Sequence, residues 1–150
     1  MITLAFYKGR GRTLGERIQD AAIRFATRGI YSHCELIGGR AVLGEEALCL
    51  SSSGRDGGVR SKRILLKPES WDLVYLDIDA AEPVAFIRAQ IGAKYDYVGI
   101  LLSHVMALGL HRRDRWTCSE ICASAIWMTQ AQRISPQSLF DIVTWMAGTD

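Results

Sequence analysis

The chain has 150 residues, 49% of them hydrophobic and 23% charged, enough to bury a sizeable core, and it is read as one domain over residues 1–150. Its net charge of +2 is too small to argue for a nucleic-acid partner. The opening MITLAFYKGRGR puts apolar residues before basic ones, the reverse of a secretory signal, and the longest apolar run, 98–110, is too short to span a bilayer. The expected location is therefore cytoplasmic, a phage protein made in the host cytoplasm included.

Residues 2–8 are β-prone and end in the Gly9-Arg10-Gly11 loop. Thr13 then caps a helix whose apolar positions Leu14, Ile18, Ala21, Ala22, Phe25 and Ala26 follow the helical period, and Gly29 stops it. A strand over 30–37, the Gly38-Gly39 turn, a strand over 40–44 and a strand over 47–53 follow as a hairpin region. Residues 55–66 give a turn and a strand, and 71–79 alternate as one more. Beyond them, 82–110 read as two helices broken near Gly92-Ala93-Lys94, 111–116 as a polar loop and 117–133 as a helix. A last helix has Ser135 as N-cap and Pro136 at its first position. This order predicts an α+β domain.

Four cysteines with no CxxC spacing, in a chain expected to be cytoplasmic, predict free thiols. Cys118 and Cys122 lie one turn apart but differ in setting. With Thr117 as N-cap, Cys118 falls in the first helical turn, where the helix dipole lowers a thiol pKa and free backbone N–H groups face an oxyanion. Arg112, Arg113 and Arg115 add positive potential, whereas Cys122 lies among Ile121, Ala125 and Ile126 and reads as core. A thiol nucleophile needs a base. Of three histidines, His104 lies in an apolar run and His111 in a basic loop; His33 lies in a strand, which can hold an imidazole at a fixed distance. Zinc is disfavoured: His33 and Cys34 are strand neighbours facing opposite ways, and Cys118 and Cys122 lack two further ligands. Cys34 and Cys49 read as small buried strand residues.

The segments YSHCEL, KYDYVGILL, RWTCSE and ISPQSLFD, in that order, resemble the circularly permuted papain-like cysteine hydrolases of the NlpC superfamily, in the YiiX-like branch related to the lecithin-retinol acyltransferase type. The resemblance covers about residues 8 to 142. It implies an antiparallel sheet or small barrel packed against helices, Cys118 as nucleophile, His33 as general base and later general acid, and no cofactor or metal. The family's orienter of the histidine sits on the next strand and is commonly a Glu; here the matching position is Ser51 or, shifted by one, Ser52. Glu35, two residues after His33 and on the same strand face, is the alternative. Glu120 reads as a capping-box acid supporting the Cys118 turn.

The resemblance also places Tyr31, Tyr95 and Asp96 near the substrate cleft; on residue type alone, Tyr95-Asp96 equally suits a helix start. The basic stretch 51–63, with Gly54, Gly57, Gly58, Arg55, Arg60, Lys62 and Arg63, is either an anion cradle rimming the cleft, through Arg55, or a hairpin turn with a solvated strand edge. The expected partner is a small-molecule, peptide or acyl-lipid substrate. Transient membrane contact is open: of Trp71, Trp116, Trp127 and Trp145, the last two read as core by their helical spacing. The competing expectation is a non-catalytic binding or assembly module that keeps the fold but lacks an acidic orienter.

Overall fold

The computed structural model describes residues 1–11, 13–96 and 115–148. Its strands are β1 (Ile2–Tyr7), β2 (His33–Ile37), β3 (Glu46–Ser53), β4 (Gly58–Leu65), β5 (Trp71–Leu76), β6 (Lys94–Tyr95) and β7 (Arg115–Trp116). They form one sheet in the order β5-β1-β2-β3-β4-β6-β7, curled into a half-barrel; every pairing is antiparallel except β6 with β7. The helices among the described residues are α1 (Leu14–Thr27), α2 (Ala81–Ala89), α3 (Cys118–Ala125) and α4 (Pro136–Ala147). The α+β expectation is met. Histidines 104 and 111 and the second helix expected within 82–110 lie outside the described residues.

The two faces of the sheet bury different clusters, as period-2 alternation requires. Ile2, Leu4, Phe6, Cys34, Leu36 and Leu50 face the helices and pack with Ile121, Cys122 and Leu139. Ala5, Ile37, Cys49, Leu66 and Trp71 form a smaller cluster on the other face. Arg28, in the left-handed region at φ 50°, ends α1. Tyr95 donates its N–H to the Gly57 carbonyl at 3.2 Å, and at Gly58, at φ +157°, an added Cβ would strike the Ala93 carbonyl oxygen. That glycine lets β4 and β6 approach.

Three local expectations change. Residues 40–44 are no strand: the Ala41 N–H goes to Thr3 Oγ1 (3.1 Å) and the Gly44 N–H to the Leu66 carbonyl (2.8 Å), so partners outside a hairpin ladder satisfy this backbone. The helix expected over 117–133 stops at Ala125. Trp127 (φ 59°) and Gln130 (φ 55°) reverse the chain before a single 3₁₀ turn at Ala131–Arg133, and no glycine or proline marks the break in the sequence. Trp127 and Trp145, read as core, are exposed, whereas Trp71 and Trp116 are buried. No helix among the described residues is long and apolar enough to cross a membrane.

Candidate active site

The start of α3 is built by Thr117. Its Oγ1 accepts from the Glu120 N–H (3.2 Å), and Glu120 Oε2 accepts from the Thr117 N–H (3.4 Å), so the expected capping box forms and fixes the first turn that carries Cys118. The N–H groups of this turn have no i−4 carbonyl to bond within the helix. Cys118 is buried (2% exposed) and packs with Cys34 of β2, while Cys122 sits a turn deeper in the core beside Ile121. The Ser119 hydroxyl, one residue after Cys118, is buried and has no hydrogen-bond partner among the described residues.

His33 is the first residue of β2, paired with Tyr7, and its side chain keeps 18% exposure. Nε2 lies 2.7 Å from Glu35 Oε1. The i, i+2 spacing on one strand puts both side chains on the same face, so a single strand carries the imidazole and its carboxylate. Engagement of Nε2 leaves Nδ1 as the ring nitrogen free for Cys118. Glu35 is fully buried and is itself gripped: Arg60 Nη1 donates to Oε2 at 2.7 Å and Nη2 to Oε1 at 2.5 Å, a bidentate fork. Arg60 Nε continues to Asp56 Oδ2 at 2.9 Å, and Lys62 Nζ reaches Asp56 Oδ1 at 2.8 Å.

The sheet register explains the fork. Leu36 pairs with Leu50, which puts Glu35 opposite Ser51, and Ser51 pairs with Arg60. Glu35, Ser51 and Arg60 thus form one row on one face across three strands. Arg60 must cover two strand spacings, roughly 9–10 Å, to reach Glu35, passing over the small Ser51 side chain.

These contacts set the protonation states. Burial alone would lower the His33 pKa; the Glu35 carboxylate and the Cys118 sulfur outweigh it and push His33 up to about 10. The Cys34 thiol, donating to Cys118, and the His33 charge beside it hold the Cys118 thiol well below its ordinary value, against burial. Burial and this donation raise Cys34 instead. Burial also works to raise Glu35, but the charges of His33 and Arg60 hold it low. The shifts all favour the charged forms along one alternating row: thiolate, imidazolium, carboxylate, guanidinium.

His33 and Glu35 open on a cleft of about 700 Å³ between the sheet and α1, which Arg55, Arg60, Asp20 and Tyr7 also line. A second cavity, about 770 Å³, lies beside α2 and the loop after β2 and holds none of the site residues.

The expected site residues are only partly gathered. Cys118 and His33 meet. Ser51 does not orient His33: its Oγ donates to the Ser52 carbonyl at 3.4 Å, and the Ser52 hydroxyl goes to the Trp116 carbonyl at 2.7 Å, while Glu35 holds Nε2. Tyr31 does not line the cleft, because its ring packs on Phe6 and Phe140 and its OH donates to Asp72 Oδ2 at 2.8 Å. Tyr95 and Asp96 are buried at the β6 end, the Asp96 N–H donating to the Trp116 carbonyl at 3.1 Å just before the Cys118 turn, so they brace the site from behind. Arg55 does reach the cleft, bonded to Asp20 Oδ1 and Oδ2 at 2.9 and 2.8 Å. In the sequence Arg60 stands only as part of a basic stretch; the signal for its role is its cross-strand parity with Ser51 and Glu35.

The chain matches no protein-family model and no curated protein.

Proposed function

We propose that this domain is a thiol hydrolase of the circularly permuted papain-like, NlpC-type fold, cleaving an amide or ester through an acyl-enzyme on Cys118. The observation that carries the reading is Cys118 in the first turn of α3 beside an imidazole whose Nε2 is held at 2.7 Å by a fully buried carboxylate. Such a pair stores a nucleophilic thiolate and a proton donor together.

In the proposed reaction Cys118 Sγ attacks the substrate carbonyl carbon, forming the C–S bond as the carbonyl π pair moves to oxygen. The Cys118 N–H at the start of α3 faces that oxyanion. Collapse breaks the bond to the leaving nitrogen or oxygen, which takes the His33 proton. Neutral His33 then accepts a proton from water as its oxygen attacks the thioester. The second collapse expels the thiolate and releases the carboxylic acid. Glu35 and Arg60 touch no reacting atom; they position His33 and stabilise its charged form.

The competing reading, a binding module, takes a missing acidic orienter as its ground, and Glu35 at 2.7 Å from His33 Nε2 weighs against it. The test is a panel of acyl esters and peptide amides with wild type, Cys118→Ala and His33→Ala, folding checked by circular dichroism. Turnover by the wild type alone is expected. Absence of turnover, together with a Cys118 thiol that titrates normally by thiolate absorbance, would overturn the proposal.

A further inference from the structure

Helix α1 turns its apolar stripe outward. Leu14, Ile18 and Phe25 are 74%, 61% and 88% exposed, and Ala21 and Ala22 on the same face are exposed as well. At 100° per residue these five fall within one broad stripe, while the buried residues of the helix, Asp20 and Ile23, lie on the far side. The helix therefore holds to the body by a narrow polar and apolar edge and presents its most hydrophobic face to the surroundings. A contiguous apolar surface of this kind marks an interaction site.

The charges of α1 are sorted by the same geometry. Its two acids turn toward the body: Asp20 takes both bonds from Arg55, and Glu16 Oε1 lies 3.8 Å from Arg55 Nε. Arg17, Arg24 and Arg28 line one edge of the apolar stripe, Arg17 and Arg28 exposed, and exposed Arg10 stands just before the helix. The outward side thus offers a Phe, two branched aliphatics and cations without an acid among them.

We propose that this face docks on an anionic lipid bilayer, with Leu14, Ile18 and Phe25 entering the headgroup–acyl boundary and Arg10, Arg17 and Arg28 engaging acidic headgroups. A second copy of the chain would bring arginines against arginines, whereas an anionic surface supplies the charge this face lacks. The inward residues Gln19, Asp20 and Ile23 of the same helix line the cleft that holds His33 and Glu35. Docking therefore sets the cleft behind α1, one helix diameter, about 10 Å, from the lipid surface.

The test is co-sedimentation of the full chain with phosphatidylcholine vesicles, with and without phosphatidylserine, at low and high salt. The proteins are wild type, Ile18→Ser/Phe25→Ser, Arg17→Gln/Arg28→Gln and Cys118→Ala, each checked by thermal melting; the exposed positions leave the core untouched. Expected are binding that requires phosphatidylserine, a loss of affinity of about tenfold or more in each double variant, weakening at high salt, and wild-type binding by Cys118→Ala. No binding to phosphatidylserine vesicles, or binding that both double variants retain, overturns the proposal. So does a concentration-dependent dimer that Ile18→Ser/Phe25→Ser dissolves in the absence of vesicle binding. Vesicle binding by a protein whose Cys118 proves chemically ordinary would leave the docking face standing and remove the hydrolase reading.

Discussion

The ion pair at the centre of the site makes a prediction about stability that needs no substrate. In the folded chain Cys118 is held below its ordinary pKa of 9.0 and His33 is raised from 6.5 to about 10. If the folded pair is the thiolate–imidazolium ion pair throughout pH 6.5 to 9.0, it holds one proton there, on His33, and the unfolded pair also holds one, on the cysteine. No proton is exchanged on unfolding, so this pair contributes no slope. Below pH 6.5 the unfolded pair binds two protons against one in the fold, and stability falls as pH falls toward the folded pKa of Cys118. Above pH 9.0 the unfolded pair binds none, and stability falls as pH rises toward about 10. The wild type should therefore carry a plateau from this pair between pH 6.5 and 9.0.

Cys118→Ala removes the compensation. His33 remains raised by Glu35, so the fold keeps a proton that the unfolded chain releases above pH 6.5. The stability of the variant then declines with pH across the interval in which the wild type is flat. One proton corresponds to about 1.4 kcal/mol per pH unit, or up to about 3 kcal/mol over the interval. Urea unfolding of both proteins at half-unit pH steps, extrapolated to water, measures the divergence. Parallel curves from pH 6.5 to 9.0 would mean that Cys118 is an ordinary neutral thiol and would sink the ion-pair argument.

Arg60→Ala should destabilise the fold by about 3–5 kcal/mol in urea unfolding, because Glu35 stays buried with half its partners gone; a cost below about 1 kcal/mol would mean that water replaces the guanidinium. Thr117→Ala should cost about 1 kcal/mol by removing the cap on α3, and it should slow alkylation of Cys118, read by peptide mass spectrometry, by loosening the turn that holds the sulfur. Ser51→Ala should keep both the fold and the depressed thiol pKa, since its hydroxyl does not touch His33. Ser51→Leu should lose both, by blocking the path of Arg60 to Glu35; equal behaviour of the two variants would contradict the three-strand row.

What the sequence makes legible is what short-range rules govern. Thr13 and Thr117 cap their helices because a capping box is complete within four residues, and Ser135 caps α4 over the same short span by accepting from the Ser138 N–H. The pairing of Cys118 with His33 follows from residue types that few alternatives could supply. The family resemblance points to Ser51 or Ser52 as orienter, with Glu35 as the alternative, and the fold selects Glu35: a carboxylate two residues along the strand of His33 is already in reach, whereas the residue across from it is Ser51 beneath Arg60. Register is set by long-range pairing that no local window contains. The stripe of α1 marks the same limit from the other side, since periodicity shows that Leu14, Ile18 and Phe25 share a face but not which way that face points.

The arrangement of charges also explains why a basic residue accompanies the acid. A fully buried carboxylate with only His33 beside it would be driven toward its neutral form by desolvation, and a neutral Glu35 would no longer favour the imidazolium. Arg60 prevents this, because a guanidinium stays charged at any working pH and its fork satisfies both carboxylate oxygens while one of them still accepts from His33. Asp56 in turn partners the remaining Nε of Arg60, so each charge along the row meets an opposite one before it meets solvent. The row begins at the Cys118 sulfur and ends at Lys62, more than half exposed, where water can finish the compensation. Removing any interior member strands a buried charge, which is why the site and the stability of the sheet should fail together.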